Sequence, residues 1–173
     1  MLKAMVVGTV MAMSAGSAWA QAPAKANPDE KFVMEAAKGG MAEVELGKLA
    51  VEKASAPEVK NFGQRMVDDH GKASDELKSL AEKKSIHVAA EIDAKDKALR
   101  DRLTKLSGEA FDRAYMTAML DDHRKDVNAF RIEGRAGKDP DVKAWASKTL
   151  PTLQEHLKMA QDANRTVGTS GKK

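Results

Sequence analysis

Ser85-Ile-His-Val-Ala-Ala-Glu-Ile-Asp-Ala-Lys-Asp-Lys-Ala-Leu-Arg-Asp-Arg-Leu-Thr-Lys-Leu-Ser107 divides the chain into two halves, and its length decides how they join. On either side lies a pair of long segments rich in helix formers, each pair linked by only about three residues, which forces two antiparallel helical hairpins. The middle connection is different. Ala98, Leu99, Leu103 and Leu106 give it a short amphipathic helix. With about ten residues helical and the rest extended it spans roughly 50 Å, enough to run the length of a long helix.

Helical periodicity supports the hairpins. The first helix is expected from Asp29 to Lys53, with Val33, Ala36, Gly40, Val44, Gly47 and Val51 on one stripe, its glycines allowing close approach of a neighbour. The second starts near Pro57 behind Ser55 as cap, with Val59, Phe62, Met66, Ala73, Leu77 and Leu80 facing inward. The third follows Ser107 and runs to about Ala136 with Met116, Met119, Leu120, Val127 and Phe130 inside. The fourth opens at Asp139-Pro140 and carries Trp145, Thr149, Leu153, Met159 and Ala160, with Pro151 expected to bend it. The fold class is therefore all-α: a ferritin-like four-helix bundle with one long crossover carrying a short extra helix.

The first twenty residues read as an address. One positive charge at Lys3, an apolar run from Ala4 to about Ala15 and a small-x-small end at Ala18-Trp19-Ala20 make a secretory signal peptide, too short to span a membrane. Cleavage after Ala20 leaves 153 of the 173 residues. The expected organisation is signal peptide 1–20, flexible leader 21–28, bundle 29–166 and disordered tail 167–173. With no cysteine in the chain, a lipid-anchored N terminus is not expected, and a periplasmic or secreted domain must hold itself by packing without disulfides. Loss of Lys3 takes the formal charge from +3 to +2, with acids and bases interspersed. Such a surface is solvated and no footprint for nucleic acid, and no later segment is apolar enough to be transmembrane. The partners left open are an envelope protein and a second copy of the chain.

Glu43, His70, His123 and His156 fall about fourteen, thirteen, fourteen and sixteen residues into the four helices. At 1.5 Å rise per residue each lies roughly 20 Å from its helix start, so an antiparallel bundle brings all four to one level. Met66-Val-Asp-Asp-His70 is echoed by Met119-Leu-Asp-Asp-His123, and Pro57-Glu-Val-Lys-Asn-Phe62 by Pro140-Asp-Val-Lys-Ala-Trp145. Three buried imidazoles and a carboxylate cannot satisfy one another, which points to a metal ion or trapped water. Glu43 is preferred over Glu45 because it borders the apolar stripe. A single-metal site of three His and one carboxylate suits zinc, iron or copper. A di-iron oxidase centre needs Glu-x-x-His pairs, and the positions three before the histidines are Val67, Leu120 and Leu153. Met66, Met119 and Met159 lie about one turn from the histidines, a mixture that suits cuprous copper, although core filling is the preferred role. Asp69 and Asp122 point about 100° from their histidines and read as surface charge, with contact to a neighbouring helix in support of the site as the alternative; His87 reads as solvated, and Tyr115 and Trp145 as core anchors.

The segments from Phe32 through Glu43-Val-Glu-Leu-Gly-Lys-Leu-Ala50, Met66 to His70, Phe111-Asp-Arg-Ala-Tyr115, His123 and Leu150-Pro-Thr-Leu-Gln-Glu-His156 resemble the family catalogued as domain of unknown function 4142, over roughly Glu30 to Arg165. The resemblance implies a secreted, ferritin-like bacterial four-helix protein and names no reaction. Three function classes stay open: a periplasmic metal-binding or metal-buffering bundle, a non-catalytic envelope or stress protein whose His/Glu layer fixes helix register, and a metal-dependent redox enzyme. No nucleophile elbow, phosphate loop or cysteine centre is present, so hydrolase, nucleotide-binding and thiol chemistry are not expected.

Overall fold

The computed structural model describes residues 27–170, which form five helices and no strand. They are α1 (Pro28–Lys53), α2 (Pro57–Lys83), α3 (Ala94–Thr104), α4 (Gly108–Ala136) and α5 (Pro140–Ser170). The expected signal peptide, and the leader up to residue 26, lie outside the described residues. Asn27 and Pro28, assigned to that leader, instead begin the bundle. Asn27 caps α1 by accepting from the Glu30 amide at 2.8 Å, the Glu30 side chain returns to the Asn27 amide, and Pro28 takes the first helical position. At the other end α5 runs on to Ser170, past the expected bundle limit at 166. Val167 is buried there within the core, so its apolar contact carries the helix further than the polar tail suggested.

The helices pair as two antiparallel hairpins, α1 with α2 and α4 with α5, which then pack α1 on α4 and α2 on α5. The ferritin-like bundle with its long crossover is the architecture observed. Two aspartates pin the hairpins together and fix their direction. Asp112, near the start of α4, accepts from the Ser55 amide (3.0 Å), the Ser55 hydroxyl (2.5 Å) and the Ala56 amide (2.9 Å) in the α1–α2 turn. Asp29, at the start of α1, accepts from the Lys138 and Asp139 amides (3.0 and 2.6 Å) in the α4–α5 turn. Helix α4 therefore starts where α1 ends, and the crossover must climb the whole bundle. Ser55 does not cap α2 as expected; its hydroxyl goes to Asp112, and Ala56 occupies the cap position. Ser107 precedes α4 but its side chain makes no capping bond.

The first apolar stripe is rotated from expectation. Val44 is only half-buried and Val51 is 37% exposed, while Glu43, Leu46, Gly47 and Ala50 point inward. The reason lies in the backbone approach of α1 to α2: a Cβ on Gly47 would sit 2.7 Å from the Gly63 carbonyl, and one on Gly63 would sit 2.8 Å from the Gly47 carbonyl. Contact that close requires glycine on both helices, and it turns the flank bearing Glu43 toward the bundle axis. Pro151 lies on the exposed side of α5, which continues past it, so the lost donor falls where water reaches the backbone.

Two apolar clusters fill the interior. One gathers Leu46, Phe62, Met66, Phe111, Tyr115, Met116, Met119 and Ala160; the other gathers Val33, Leu77, Val127, Phe130, Trp145 and Leu153. Met66 and Met119 are thus core packing, as are Tyr115 and Trp145. Because each aspartate joins a hairpin to the other hairpin's turn, removing one leaves two amides without that acceptor. Asp112→Ala is expected to lower the urea-unfolding free energy by about 3 kcal/mol, and Asp29→Ala by about 2 kcal/mol. Variants as stable as the parent would show that these turns are held by packing alone.

Candidate metal centre

Between the two apolar clusters lies one polar layer. Glu43, His70, His123 and His156 are all buried, with 6% exposure at His70 and 1% or less at the others. The structure brings all four together. The imidazole centroids of His70, His123 and His156 are 5.2 to 5.8 Å apart. One ring nitrogen of each lies within 4.8 Å of those of the other two.

Each ring is held by an oxygen on one side. His123 Nδ1 is 2.9 Å from the Met119 carbonyl, one turn back on α4, so this nitrogen carries the proton and donates. His70 Nδ1 lies 2.9 Å from Glu43 Oε2, and His156 Nε2 lies 2.9 Å from Asp69 Oδ2. The remaining nitrogens, His70 Nε2, His123 Nε2 and His156 Nδ1, are buried and have no hydrogen-bond partner. Three imidazoles oriented by oxygens, each with a bare lone pair facing inward, are the donor set of a histidine metal site with its supporting groups. Glu43 Oε1 is also buried without a hydrogen bond, 3.3 Å from His123 Nε2. Two acceptor atoms at that distance need a proton or a cation between them.

Electrostatics keeps the layer uncharged. Burial pushes Glu43 up to about 8; His123 opposes this, and Asp122 and Asp96 add to it. Burial drives His70 and His156 down to about 4 and lowers His123, despite the carboxylates nearby. The imidazoles are therefore neutral at pH 7 with their lone pairs free.

Asp69 takes the alternative role open to it, contact with a neighbouring helix, and Asp126 takes one that the sequence reading did not give it. Asp69, expected at the surface, is only 19% exposed and joins His156 to Arg65. Burial acts to raise it, but the hydrogen bonds from His156 and Arg65 win and hold it below the usual carboxylate range. Asp126, one turn beyond His123, lies with Asp122 and Glu43 in a carboxylate cluster and is pushed well up by burial and by those neighbours. The available signal was the Asp-His adjacency for Asp69 and the i, i+3 spacing from His123 for Asp126. Glu45 turns away to bond Arg100 on α3 at 3.0 Å, and His87 is exposed on the crossover.

These shifts act on stability in opposite directions. Glu43 is raised on folding, so its contribution is complete below its unfolded value of 4.5 and is lost as pH rises through about 8. His70 and His156 are depressed, so theirs is complete above 6.5 and lost as pH falls toward 4. In chelator-dialysed protein, Glu43→Gln is therefore expected to gain on the parent between pH 5 and pH 8 by more than about 1.4 kcal/mol in urea unfolding. An equal difference at both pH values would mean that Glu43 is ionised in the folded layer.

Comparison with known proteins bears on the fold first. CopM in its Cu(II)-bound form is 14% identical, with 80% of this chain and 96% of that one covered at a TM-score of 0.67; Cu(I)-bound and silver-bound forms of CopM match likewise. A DUF305 fragment from Deinococcus radiodurans is 15% identical, covering 83% of this chain and 97% of that one at a TM-score of 0.69. A DUF305 protein from Streptomyces coelicolor is 13% identical, covering 81% and 92% at a TM-score of 0.69. At such identities the likeness is one of fold. A search of curated proteins finds no match. The model of the family described as Domain of unknown function (DUF4142) matches residues 14–163, and the chain belongs to that family.

Proposed function

We propose that this protein is an exported metal-binding bundle that holds one transition-metal ion on His70, His123 and His156, with Glu43 as the carboxylate of the site. The observation that carries the proposal is the set of three buried ring nitrogens without partners, each on a ring whose other nitrogen faces an oxygen. The neutral Glu43 carboxyl has one proton and can serve only one of these lone pairs, so a fully buried layer of this kind stays poorly satisfied until something binds it. A metal ion uses all three at once. Imidazole donors with a carboxylate at hand suit zinc, iron or copper, and metal binding needs no proton to leave a ring that is already neutral. CopM, of the same fold, is known in copper-bound and silver-bound forms, which makes copper the first ion to test. Glu43 would orient His70 and, on ionising, balance part of the ion's charge.

The proposed compartment is the bacterial periplasm or the exterior, on the strength of the N-terminal signal sequence. No described helix is long and apolar enough to cross a membrane. Protein recovered from the periplasmic fraction is expected to have the intact mass of a chain beginning at Gln21. A mass that retains residues 1–20 would overturn the export reading.

Elemental analysis of protein purified without chelators tests the site. About one equivalent of a transition metal is expected in the parent and none in the His70→Ala/His123→Ala variant. Metal in neither, with the variant strongly destabilised, would leave the layer as a polar network that fixes helix register.

A further inference from the structure

The two hairpins meet along two seams, α1 with α4 and α2 with α5, and the structure treats them unequally. On the first seam α3 packs against both α1 and α4, with Leu103 fully buried and Arg100 bonded to Glu45. The second seam holds a cleft of about 160 Å³ walled by α2 and α5 alone. Its floor is formed by His70 and His156, its walls include Ala73 and Thr152, and at its mouth Lys148 Nζ bridges to Glu76 at 2.7 and 2.9 Å.

The bare nitrogens His70 Nε2 and His156 Nδ1 thus belong to residues that border an opening to solvent, whereas His123 lines neither this cleft nor the two cavities described next. A second cavity reaches His70 and Glu43 from within the bundle, but at about 20 Å³ it has room for a water and little more. The cleft on the α1, α4 and crossover side, lined by Asp96, Asp126 and Ala129 among others, touches no histidine. An ion held by three imidazoles has a position left for a further ligand. Of these three cavities, the α2–α5 cleft is the one that both reaches the histidines and has room for a ligand of more than one or two atoms.

We infer that the α2–α5 cleft is the path by which metal enters and leaves the three-histidine site, and that a small monodentate donor, such as azide or one imidazole, binds the ion from this side. The inference rests on the three-histidine reading. His70, His123 and His156 would hold the ion as neutral rings kept in place by their oxygens, so a donor reaching it through the cleft could replace them without a proton having to move. The Glu76–Lys148 pair is exposed on both sides and so is a weak closure, easily parted by a ligand.

The test is transfer of Cu(II) from the loaded full chain to excess EDTA, followed by absorbance, beside an azide titration read by electron paramagnetic resonance. Thr152→Leu fills the cleft from α5 and is expected to slow transfer at least tenfold and to abolish the azide-induced spectral change, with one equivalent of copper still bound. Ala73→Leu fills it from α2 and tests the same point should the first variant fail to fold. Ala129→Leu in the opposite cleft is expected to transfer at the parent rate. Transfer at the parent rate from both cleft-filling variants, or slowing by Ala129→Leu instead, overturns the route while leaving the site intact. A parent that binds no copper, zinc or iron overturns the site and the route together.

Discussion

Everything in this bundle is arranged around one costly act, the burial of four ionisable side chains in a single layer between two apolar halves. An isolated buried charge is expensive, and groups in such a place respond by becoming neutral. That is what the layer does: burial is the largest cause that pushes the carboxyl up and the imidazoles down. Neutrality removes the charge penalty but not the hydrogen-bond penalty. The oxygens of Met119, Glu43 and Asp69 answer one nitrogen of each ring and leave the other bare. The helices must be placed accurately for those oxygens to meet their rings, which is the task of the aspartate ties at both ends and of the Gly47–Gly63 approach.

Those ties expose a hidden regularity. At one constant spacing, Asp29, Phe32 and Glu43 of α1 correspond to Asp112, Tyr115 and Asp126 of α4, and Pro57 and Phe62 of α2 to Pro140 and Trp145 of α5. The contacts obey the same rule. Phe32 meets Trp145 edge-on at 6.2 Å, and their counterparts Tyr115 and Phe62 meet edge-on at 6.1 Å. Asp112 holds the amides of Ser55 and Ala56, and Asp29 those of their counterparts Lys138 and Asp139, each in the other hairpin's turn. The two hairpins are thus approximate copies packed face to face, and the acids Glu43 and Asp126 are partners under that relation. The Met-x-Asp-Asp-His echo between α2 and α4 follows no such rule and is not part of it.

Architecture was readable because helix periodicity, the proline starts at Pro57 and Pro140, and the long crossover are all local signals. The level of the four site residues followed from helix rise alone, and Glu43 was separable from Glu45 by its neighbouring glycines. What was not readable depends on other helices. Asp69 looked like surface charge because, on its own helix, it points some 100° from His70; only the position of α5 brings His156 against it. Ser55 looked like a cap because nothing in its local sequence announces Asp112. The stripe of α1 was misplaced because a Gly-Gly contact, and not side-chain bulk, sets that helix's rotation. Rotation of one helix against another is a property of the pair, and a single helix's pattern carries it weakly.

The histidines stand apart from the internal symmetry, and this bears on what they are for. His123 corresponds to Gly40, His156 to Ala73 and His70 to Leu153, so none of the three has a counterpart of its own kind. Fixing register would not require them: the matched acids, the edge-on aromatic pairs and the aspartate ties already define how the hairpins meet. Three imidazoles with bare inward lone pairs add desolvation cost that replacement by apolar side chains of similar size would relieve. A layer that departs from the fold's own symmetry, at a cost to the fold, is what the proposed metal binding would account for. The crossover departs from that symmetry too, packing on the α1–α4 seam and leaving the α2–α5 seam as the side on which two of the three rings face a cleft. Histidine layer and cleft are thus asymmetric in the same sense, which is the arrangement that the proposed uptake and release of a single ion from one side would require.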